Sequence, residues 1–306
     1  MQSQTNMPLI ITPELLSPRL PLRPADSNKS SFGSALIIAG SLYYTGAALL
    51  AARACLRTGV GLLRMAVPRF LHPALAGAVP EAIWTPLPSQ YGTLCARSAL
   101  ALRPIFTKQS ALLIGPGLGN TRTTWRFAKR LFDHTLRHFP TLPCVLDADM
   151  LNLLSRDSTL FAHLPRPCVL TPHPGEMARL CHCSVAEVQE NRAKLAQKLA
   201  QEQNVIVVLK GAFTLIATPE GDLRQLPFAN AVLAHAGSGD VLAGITVSLL
   251  AQGLNALDAA SIAVWLHAQS ALLALAEQGD SAAVLPSDLI TQLGNAMASL
   301  RTSSAH

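Results

Sequence analysis

The chain has 306 residues, of which half are hydrophobic and 14% are charged, with a formal net charge of +6. This length suits one large or two ordinary domains and can bury a large core. Three charge-free stretches approach the roughly 20 residues that span a bilayer, but glycines and polar side chains interrupt each of them. We therefore expect buried helices of an α/β protein and no membrane partner.

The basic residues are densest on one predicted helical stripe, and its members are Arg122, Arg126, Lys129, Arg130 and Arg137. A solvated helix face explains this stripe better than a nucleic-acid surface, which would combine interleaved aromatic residues with a recognisable module. We expect no nucleic-acid partner. The positive balance of the chain instead favours an anionic substrate such as a dinucleotide.

The six cysteines show no pattern of a metal site. Cys144 and Cys168 lie in apolar runs, and Cys181-His182-Cys183 has no second ligand pair at metal-site spacing. The N-terminus shows no basic region followed by an apolar run, so no secretory signal is visible. These features predict a protein of the reducing cytoplasm.

In chain order, residues 1 to about 25 are rich in proline and polar residues and are interpreted as a tail, and residues 26–306 as a single domain. From Phe32 onward, short apolar runs, loops and helical stretches alternate. The predicted strands are 35–39, 111–114, 144–146, 168–170 and 205–209. Such short apolar runs are typical of a parallel sheet that is buried on both faces.

The remaining elements complete this pattern. A helix is predicted over 47–58, with Gly59 placed to end it. Segments 213–217 and 223–226 flank a turn at 218–222, which predicts an antiparallel pair of strands. Helices are predicted from Val241 to the C-terminus.

Small or polar residues follow each predicted strand, where ligands bind in open α/β sheets. The sharpest of these segments is Gly237-Ser238-Gly239-Asp240, directly before an apolar helix. Glycines let a phosphate approach the backbone, the helix start binds anions, and Asp240 would accept a proton from an attacking hydroxyl. The alternative is an aspartate that caps the helix. The position of the segment after the Lys210-Gly211 strand end favours catalysis.

Three other residue sets keep two interpretations each. Lys210 is either a surface lysine or a nucleotide contact, and His173 either braces its own loop or contacts a substrate. Asp147 and Asp149 are either a magnesium pair or include a helix cap at Asp149, and we favour the cap. No metal ligand is assigned.

Several segments together resemble the ADP-dependent NAD(P)H-hydrate dehydratases over roughly residues 26–295. They are Gly33 to Ser41, Tyr44 to Ala51, Gly115 to Gly119, Asp147 to Asn152, Leu170 to Leu180 and Gly237 to Gly244. The Thr-Pro-His-Pro-Gly-Glu segment is the specific one. The resemblance implies a ribokinase-like α/β fold, with a mostly parallel central sheet flanked by helices on both faces.

The resemblance also implies the reaction, in which ADP phosphorylates the 6-hydroxyl of hydrated NADH or NADPH and phosphate is then eliminated. Asp240 would be the base. The residues implied for the hydrated dinucleotide are Ala47, Gly117, His173 and Asp240, and those for the nucleotide are Lys210, Gly211, Ala212, Phe213, Thr214 and Gly239. A Mg²⁺ ion accompanying the nucleotide and a homotetramer are implied as well.

The chain departs from the family pattern at Ser30, Ala231 and Ser270, which affects details of the nucleotide site and of oligomer contacts. About 25 N-terminal residues cannot hold the epimerase domain of many relatives, so no epimerase activity is expected. A ribokinase-like kinase of a vitamin precursor is the alternative function, and a nucleotide-binding regulatory protein without turnover is a further one.

Overall fold

The structure, a computed structural model, describes residues 7–302. Its strands are β1 (Leu9–Ile10), β2 (Ser34–Ile38), β3 (Leu62–Pro68), β4 (Ile83–Leu87), β5 (Ser89–Gln90), β6 (Thr93–Leu94), β7 (Ala111–Ile114), β8 (Cys144–Leu146), β9 (Cys168–Leu170), β10 (Ile206–Leu209), β11 (Leu215–Ala217) and β12 (Leu223–Gln225). Its α-helices are α1 (Pro13–Leu16), α2 (Thr45–Arg57), α3 (His72–Ala76), α4 (Ala96–Phe106), α5 (Arg122–Arg130), α6 (Asp149–Arg156), α7 (Pro174–Cys181), α8 (Val185–Glu190), α9 (Arg192–Gln203), α10 (Ser238–Ala251), α11 (Ala256–Gln278) and α12 (Pro286–Thr302).

Ten of these strands form one sheet in the order β1-β12-β11-β10-β9-β8-β7-β2-β3-β4. Strand β11 runs antiparallel to both β10 and β12, and the other neighbours are parallel. Strands β5 and β6 form a separate antiparallel hairpin. The predicted mostly parallel central sheet is confirmed.

Successive residues of the central strands face opposite sides of the sheet, as the strand geometry requires. In β2, Ala35 and Ile37 belong to one buried cluster, and Leu36 and Ile38 belong to the other. The first cluster is completed by α2, α10, α11 and α12, and the second by α4 to α9. Helices therefore cover both faces, as predicted, and the apolar strand runs follow from this double burial.

Helices α2 and α10 pack with their backbones in close contact. A Cβ atom on Gly244 of α10 would lie 2.4 Å from the carbonyl oxygen of Ala51 in α2 and 2.9 Å from the Cβ of Ala54. Only a glycine lets the two helices approach this closely. The beginnings of both helices are thereby held at the same edge of the sheet.

The strands at 111–114, 144–146 and 168–170 and the antiparallel pair β11–β12 were predicted correctly. Strands β3 and β4 were missed. The first carries Arg64 in an otherwise apolar run, and the second contains Pro86, which is tolerated because β4 is an edge strand.

The interpretation of residues 1 to 25 as a tail is wrong for the part that the structure describes. Strand β1 pairs with β12 at the sheet edge, and the side chains of Ile11, Leu16 and Leu20 are buried in the core. The composition of this segment, rich in proline and polar residues, gave no sign that its apolar residues pack into the core.

Helix α11 is the one helix among residues 7–302 that is long and apolar enough to cross a membrane by length and composition. Of its most apolar 18-residue window, 72% is buried inside the protein. The apolar character of α11 is therefore explained by its place in the core, where its buried residues include His267.

Candidate active site

The carboxyl ends of β8, β9 and β10 and the beginning of α10 surround a cavity of about 750 Å³. This edge of a parallel sheet is where α/β proteins bind their ligands. The predicted site residues that line the cavity are His173, Lys210, Gly211, Ala212, Thr214, Gly239 and Asp240. Three separate segments of the sequence therefore meet around one space.

The ammonium group of Lys210 lies among carboxylates. Its Nζ donates a hydrogen bond of 2.9 Å to Oδ1 of Asp147 and lies 3.8 Å from Oε2 of Glu176. Burial opposes the charge on the ammonium group, but the surrounding carboxylates outweigh burial and raise the pKa of Lys210. The lysine is thus a fixed positive charge in the cavity, with a side chain only 18% exposed, and not a surface residue.

Asp147 has a role that its sequence context did not show. Its side chain is buried, and Oδ1 accepts hydrogen bonds both from Lys210 and, at 2.7 Å, from Oγ1 of Thr171. Asp147 and Lys210 directly follow β8 and β10, which flank β9. The only signal in the sequence was that both residues stand at strand ends.

Asp240 is the third residue of α10 and lines the cavity. Gly237 is the N-cap residue, and the carboxyl group of Asp240 makes no hydrogen bond to residues 7–302. The capping interpretation of Asp240 is therefore wrong. Burial and then the charge of Asp147 raise the pKa of Asp240 to about 7, against the opposing effect of Lys210. A carboxyl group that titrates near neutral pH is well matched to accept a proton.

The first turn of α10 is shaped for an anion. The N–H of Ser238 donates to the carbonyl oxygen of His235, and no side chain caps the helix, so the N–H groups of Gly239 and Asp240 in the cavity lining have no partner among residues 7–302. A Cβ atom on Gly239 would lie 3.0 Å from Nζ of Lys210. A side chain at this position would therefore enter the space between the helix start and the ammonium group.

His267 braces this turn and was not singled out as a site residue. Its Nε2 lies 2.9 Å from the carbonyl oxygen of Ser238. Burial lowers the pKa of His267 to about 4, so the ring is neutral and its Nε2 carries the proton that it donates. The signal in the sequence was a lone histidine within a charge-free helical stretch.

His173 has a structural role and also lines the cavity. It is the N-cap residue of α7: its Nδ1 accepts a hydrogen bond of 3.0 Å from the N–H of Gly175, and its own N–H donates to Oε2 of Glu176 at 2.8 Å. Burial, followed by the charges of Lys210 and Arg179, lowers the pKa of His173. Because Nδ1 accepts a hydrogen bond, the proton of the neutral ring is on Nε2, which lies 3.5 Å from Oε1 of Glu176.

The predicted nucleotide segment is only partly directed into the cavity. Lys210, Gly211, Ala212 and Thr214 line it, and the hydroxyl of Thr214 donates to the carbonyl oxygen of Gly211 at 3.0 Å. Phe213 does not line the cavity, and it is 45% exposed. Its φ of 53° is left-handed, an uncommon conformation for an aromatic residue.

Ala47 and Gly117 lie next to each other but outside this cavity. A Cβ atom on Gly117 would lie 3.0 Å from the Cβ of Ala47 and 2.7 Å from that of Tyr44. The two residues follow β2 and β7, which are neighbours in the sheet. They form a second group, farther along the same edge.

Asp149 connects the two groups and does not cap α6. Its Oδ2 accepts a hydrogen bond of 2.8 Å from the N–H of Gly119, in the loop that carries Gly117, and its charge contributes to the raised pKa of Asp240. Ala148 is the N-cap residue of α6, so the predicted cap at Asp149 is wrong. Across residues 7–302, no three His, Cys, Asp or Glu side chains are grouped as a metal site.

Sequence and fold comparisons show which known proteins this chain is similar to. A sequence model of the NAD(P)H-hydrate dehydratase family matches residues 35–295. The chain is 37% identical over 272 residues to the ADP-dependent (S)-NAD(P)H-hydrate dehydratase of Neisseria meningitidis, covering 87% of this chain and 86% of that protein.

Other relatives are longer. The chain is 39% identical over 273 residues to a bifunctional NAD(P)H-hydrate repair enzyme of Moorella thermoacetica, which covers 89% of this chain, and it spans only 50% of that protein's length.

The fold comparison extends over nearly the whole chain. A crystal structure of the ADP/ATP-dependent NAD(P)H-hydrate dehydratase of Bacillus subtilis, co-crystallized with ATP and Mg²⁺, superimposes with a TM-score of 0.81. The two sequences are 31% identical, and the match covers 96% of this chain and 99% of that one. The fold is ribokinase-like, as the resemblance implied.

Proposed function

Because the chain belongs to the NAD(P)H-hydrate dehydratase family, we propose that it dehydrates the 6-hydroxy forms of NADH and NADPH at the expense of ADP, with release of AMP and phosphate. The observation that carries this proposal is the placement of Asp240. Its carboxyl group, with a pKa of about 7, shares a cavity with the fixed positive charge of Lys210 and the uncapped start of α10.

This arrangement suits phosphoryl transfer to a hydroxyl group. Asp240 accepts the proton of the 6-hydroxyl as that oxygen attacks the β-phosphorus of ADP, and the bond from this phosphorus to the bridging oxygen breaks to release AMP. The C6–O bond then breaks, phosphate leaves with the bonding electrons, and C5 loses a proton. The ring double bond is restored, because phosphate is a far better leaving group than hydroxide.

Lys210 and the beginning of α10 stabilise the charge that moves between the phosphate oxygens. The ammonium group is held in place by Asp147 before any ligand arrives, so little reorganisation is needed during the reaction. Gly239 leaves the backbone N–H groups accessible to the phosphate. Gly211, Ala212 and Thr214 would contact the rest of the nucleotide, with Phe213 at the margin of the site.

A Mg²⁺ ion fits this site only as a companion of the nucleotide. Residues 7–302 hold no group of three metal ligands, but Mg²⁺ bound to phosphates needs only one or two carboxylates. Of the carboxylates that line the cavity, Asp240 is the one that Lys210 does not contact, and it would contact the ion. When bound, the ion would neutralise negative charge on the phosphate oxygens.

The hydrated dinucleotide would extend from Asp240 and His173 toward Ala47 and Gly117. His173 would donate a hydrogen bond from Nε2, and the Gly117 loop, which packs closely against the start of α2, would present its backbone to the ligand. We further propose that the chain acts as a single domain, which includes the N-terminal strand β1 at the sheet edge. We also propose that the protein is cytoplasmic, as its six free cysteines favour, and that it assembles as a homotetramer.

The decisive experiment measures recovery of the dihydronicotinamide absorbance from hydrated NADH and hydrated NADPH with ADP and Mg²⁺. We expect recovery that requires ADP and yields one AMP and one phosphate for each cofactor restored. Consumption of nucleotide without recovery of the ring, and with a stable phosphate ester of a vitamin precursor, would instead identify a small-molecule kinase.

A further inference from the structure

A second cavity, of about 490 Å³, lies beside the β5–β6 hairpin and outside the candidate active site. Its polar and charged lining comes from the hairpin, from the start of α4 and from the first two turns of α5, and consists of Ser89, Gln90, Cys95, Arg97, Thr123 and Arg126. Arg126 belongs to the basic stripe of the sequence. No acidic residue lines the cavity.

The cavity has a concentrated positive potential. Arg97 and Arg126 are exposed, and neither forms an ion pair within the described part of the chain. The positive ends of the α4 and α5 dipoles add to these two guanidinium groups. Guanidinium groups recognise phosphate oxygens in pairs of parallel hydrogen bonds. The chemistry of this cavity therefore matches a phosphate dianion.

The hairpin and the helix α5 that line this cavity also contact the loop that carries Gly117, through Thr93, which pairs with Gln90 in the hairpin, and through Thr121. A Cβ atom on Gly119 would lie 3.2 Å from Cγ2 of Thr93, and the hydroxyl of Thr93 lies 3.5 Å from that of Thr121, the residue that caps α5. A ligand that leaves the Gly117 loop in this direction would reach the cavity.

Ser41 lies beside the same loop, next to Gly119. The same Cβ atom on Gly119 would lie 3.6 Å from its Oγ. This hydroxyl group is buried and has no hydrogen-bond partner among residues 7–302. A buried polar group without a partner is costly, so a ligand atom is expected to satisfy it.

We propose that the Arg97–Arg126 cavity binds the ribose 2′-phosphate of hydrated NADPH. This inference rests on the proposed function, in which the nicotinamide end of the substrate lies at Asp240. The glycine loop and the start of α2 then receive the middle of the dinucleotide, where glycines allow close approach of a pyrophosphate. The second cavity lies beyond that loop, where the far ribose and its phosphate would extend.

The test compares hydrated NADPH with hydrated NADH as substrates of the wild-type enzyme and of the double variant Arg97→Gln/Arg126→Gln. Arg103→Gln/Arg130→Gln is the matched control, because it removes the same charge from exposed positions of the same two helices. We expect the KM for hydrated NADPH to rise about tenfold or more in the test variant, the loss typical of hydrogen bonds to a charged group. The KM for hydrated NADH, and both values in the control, should stay unchanged.

An equal rise in KM for both substrates would assign the arginines to the pyrophosphate and overturn the proposal, as would no rise for either. A binding measurement tests the subsite independently of the proposed dehydratase activity. With AMP saturating the nucleotide site, adenosine 2′,5′-bisphosphate should bind the wild-type protein and the control variant but not the test variant. This measurement requires no turnover, so it would support the subsite even if the enzyme dehydrated neither hydrate. Failure of the wild-type protein to bind the bisphosphate would overturn the subsite.

Discussion

Nε2 of His267 donates a hydrogen bond to the carbonyl oxygen of Ser238, and this bond links the middle of α11 to the first turn of α10. The acceptor stands two residues before Asp240. Because the ring is neutral above pH 4, the bond does not change over the range in which Asp240 titrates. His267 is therefore a positioning residue for the proposed base.

Replacing His267 tests this role. We expect His267→Leu to lower both kcat and ADP affinity, since it removes the side-chain hydrogen bond that holds the carbonyl group of Ser238, a loss of about 0.5–1.5 kcal/mol. His267→Gln keeps a donor and should restore most of kcat. Steady-state kinetics with both variants tests this role. A loss of thermal stability in His267→Leu with unchanged kinetics would mean that His267 contributes only to packing.

For the base itself, we expect Asp240→Asn to lower kcat by about 10²–10⁴-fold, the usual contribution of general acid–base catalysis. The amide keeps the size of the carboxyl group, so binding of ADP and of the hydrated dinucleotide should change only a few-fold. Single-turnover kinetics and equilibrium titration measure the two effects separately. Retention of more than a tenth of the wild-type kcat would remove Asp240 from this role.

The raised pKa of Asp240 has consequences of opposite sign for activity and for stability. Activity requires the ionised form, so kcat/KM should rise with pH through about 7 and then level off. Stability changes in the opposite direction. The pKa of Asp240 in the folded state lies above the ordinary 3.8, so raising the pH from 3.8 to about 7 progressively favours the unfolded state, in which this carboxyl group ionises more readily. Asp240→Asn should therefore raise Tm more at pH 8 than at pH 5. A difference in Tm that does not depend on pH would contradict the raised pKa of Asp240.

A side chain at position 239 should interfere with the phosphate. We expect Gly239→Val to weaken ADP binding at least tenfold while lowering Tm only slightly, because the nearest atom is the flexible end of Lys210, 3.0 Å from the added Cβ. Gly294→Val is the matched control, since a Cβ there meets nothing within 4 Å. Calorimetric titration with ADP and melting curves distinguish the outcomes. Equal losses of ADP binding and of thermal stability would mean that Gly239 serves only the backbone turn.

Two substitutions separate the structural and binding roles of His173. Asparagine is a good N-cap residue, so His173→Asn should keep Tm while raising the KM for the hydrated dinucleotide a few-fold, as one neutral hydrogen bond is lost. His173→Ala should add a loss of about 1 kcal/mol of stability from the missing cap. The KM for ADP should stay nearly constant in the asparagine variant. An unchanged KM for the dinucleotide in that variant would refute the contact.

The sequence predicted the elements that depend on local pattern and missed those that depend on distant partners. Strands β7, β8 and β9 are short and wholly apolar, so their burial on both faces is visible in the sequence. The bond from Lys210 to Asp147 joins residues that are 63 positions apart, and no local rule connects them.

The wrong prediction of a helix cap at Asp149 has the same explanation. Asp149 resembles a helix cap locally, but its acceptor is used by Gly119 of a separate loop. The nucleotide contact implied for Phe213 stays a prediction, since this residue has a left-handed backbone and does not line the cavity. The chemistry of the Asp240 loop was predictable, and the network that positions it was not.

The close contact of Gly244 with Ala51 also governs how the substrate is received. Ala47 stands on α2 and Asp240 on α10, and the two helices cannot slide past each other at a backbone separation that a single methyl group would close. The distance between the two ends of the proposed dinucleotide site is thereby set before binding. Such a preorganised span spares the conformational entropy that a hinged site would lose when it closes on its ligand. Gly244→Ala would push α2 and α10 apart and so alter the distance between Ala47 and Asp240.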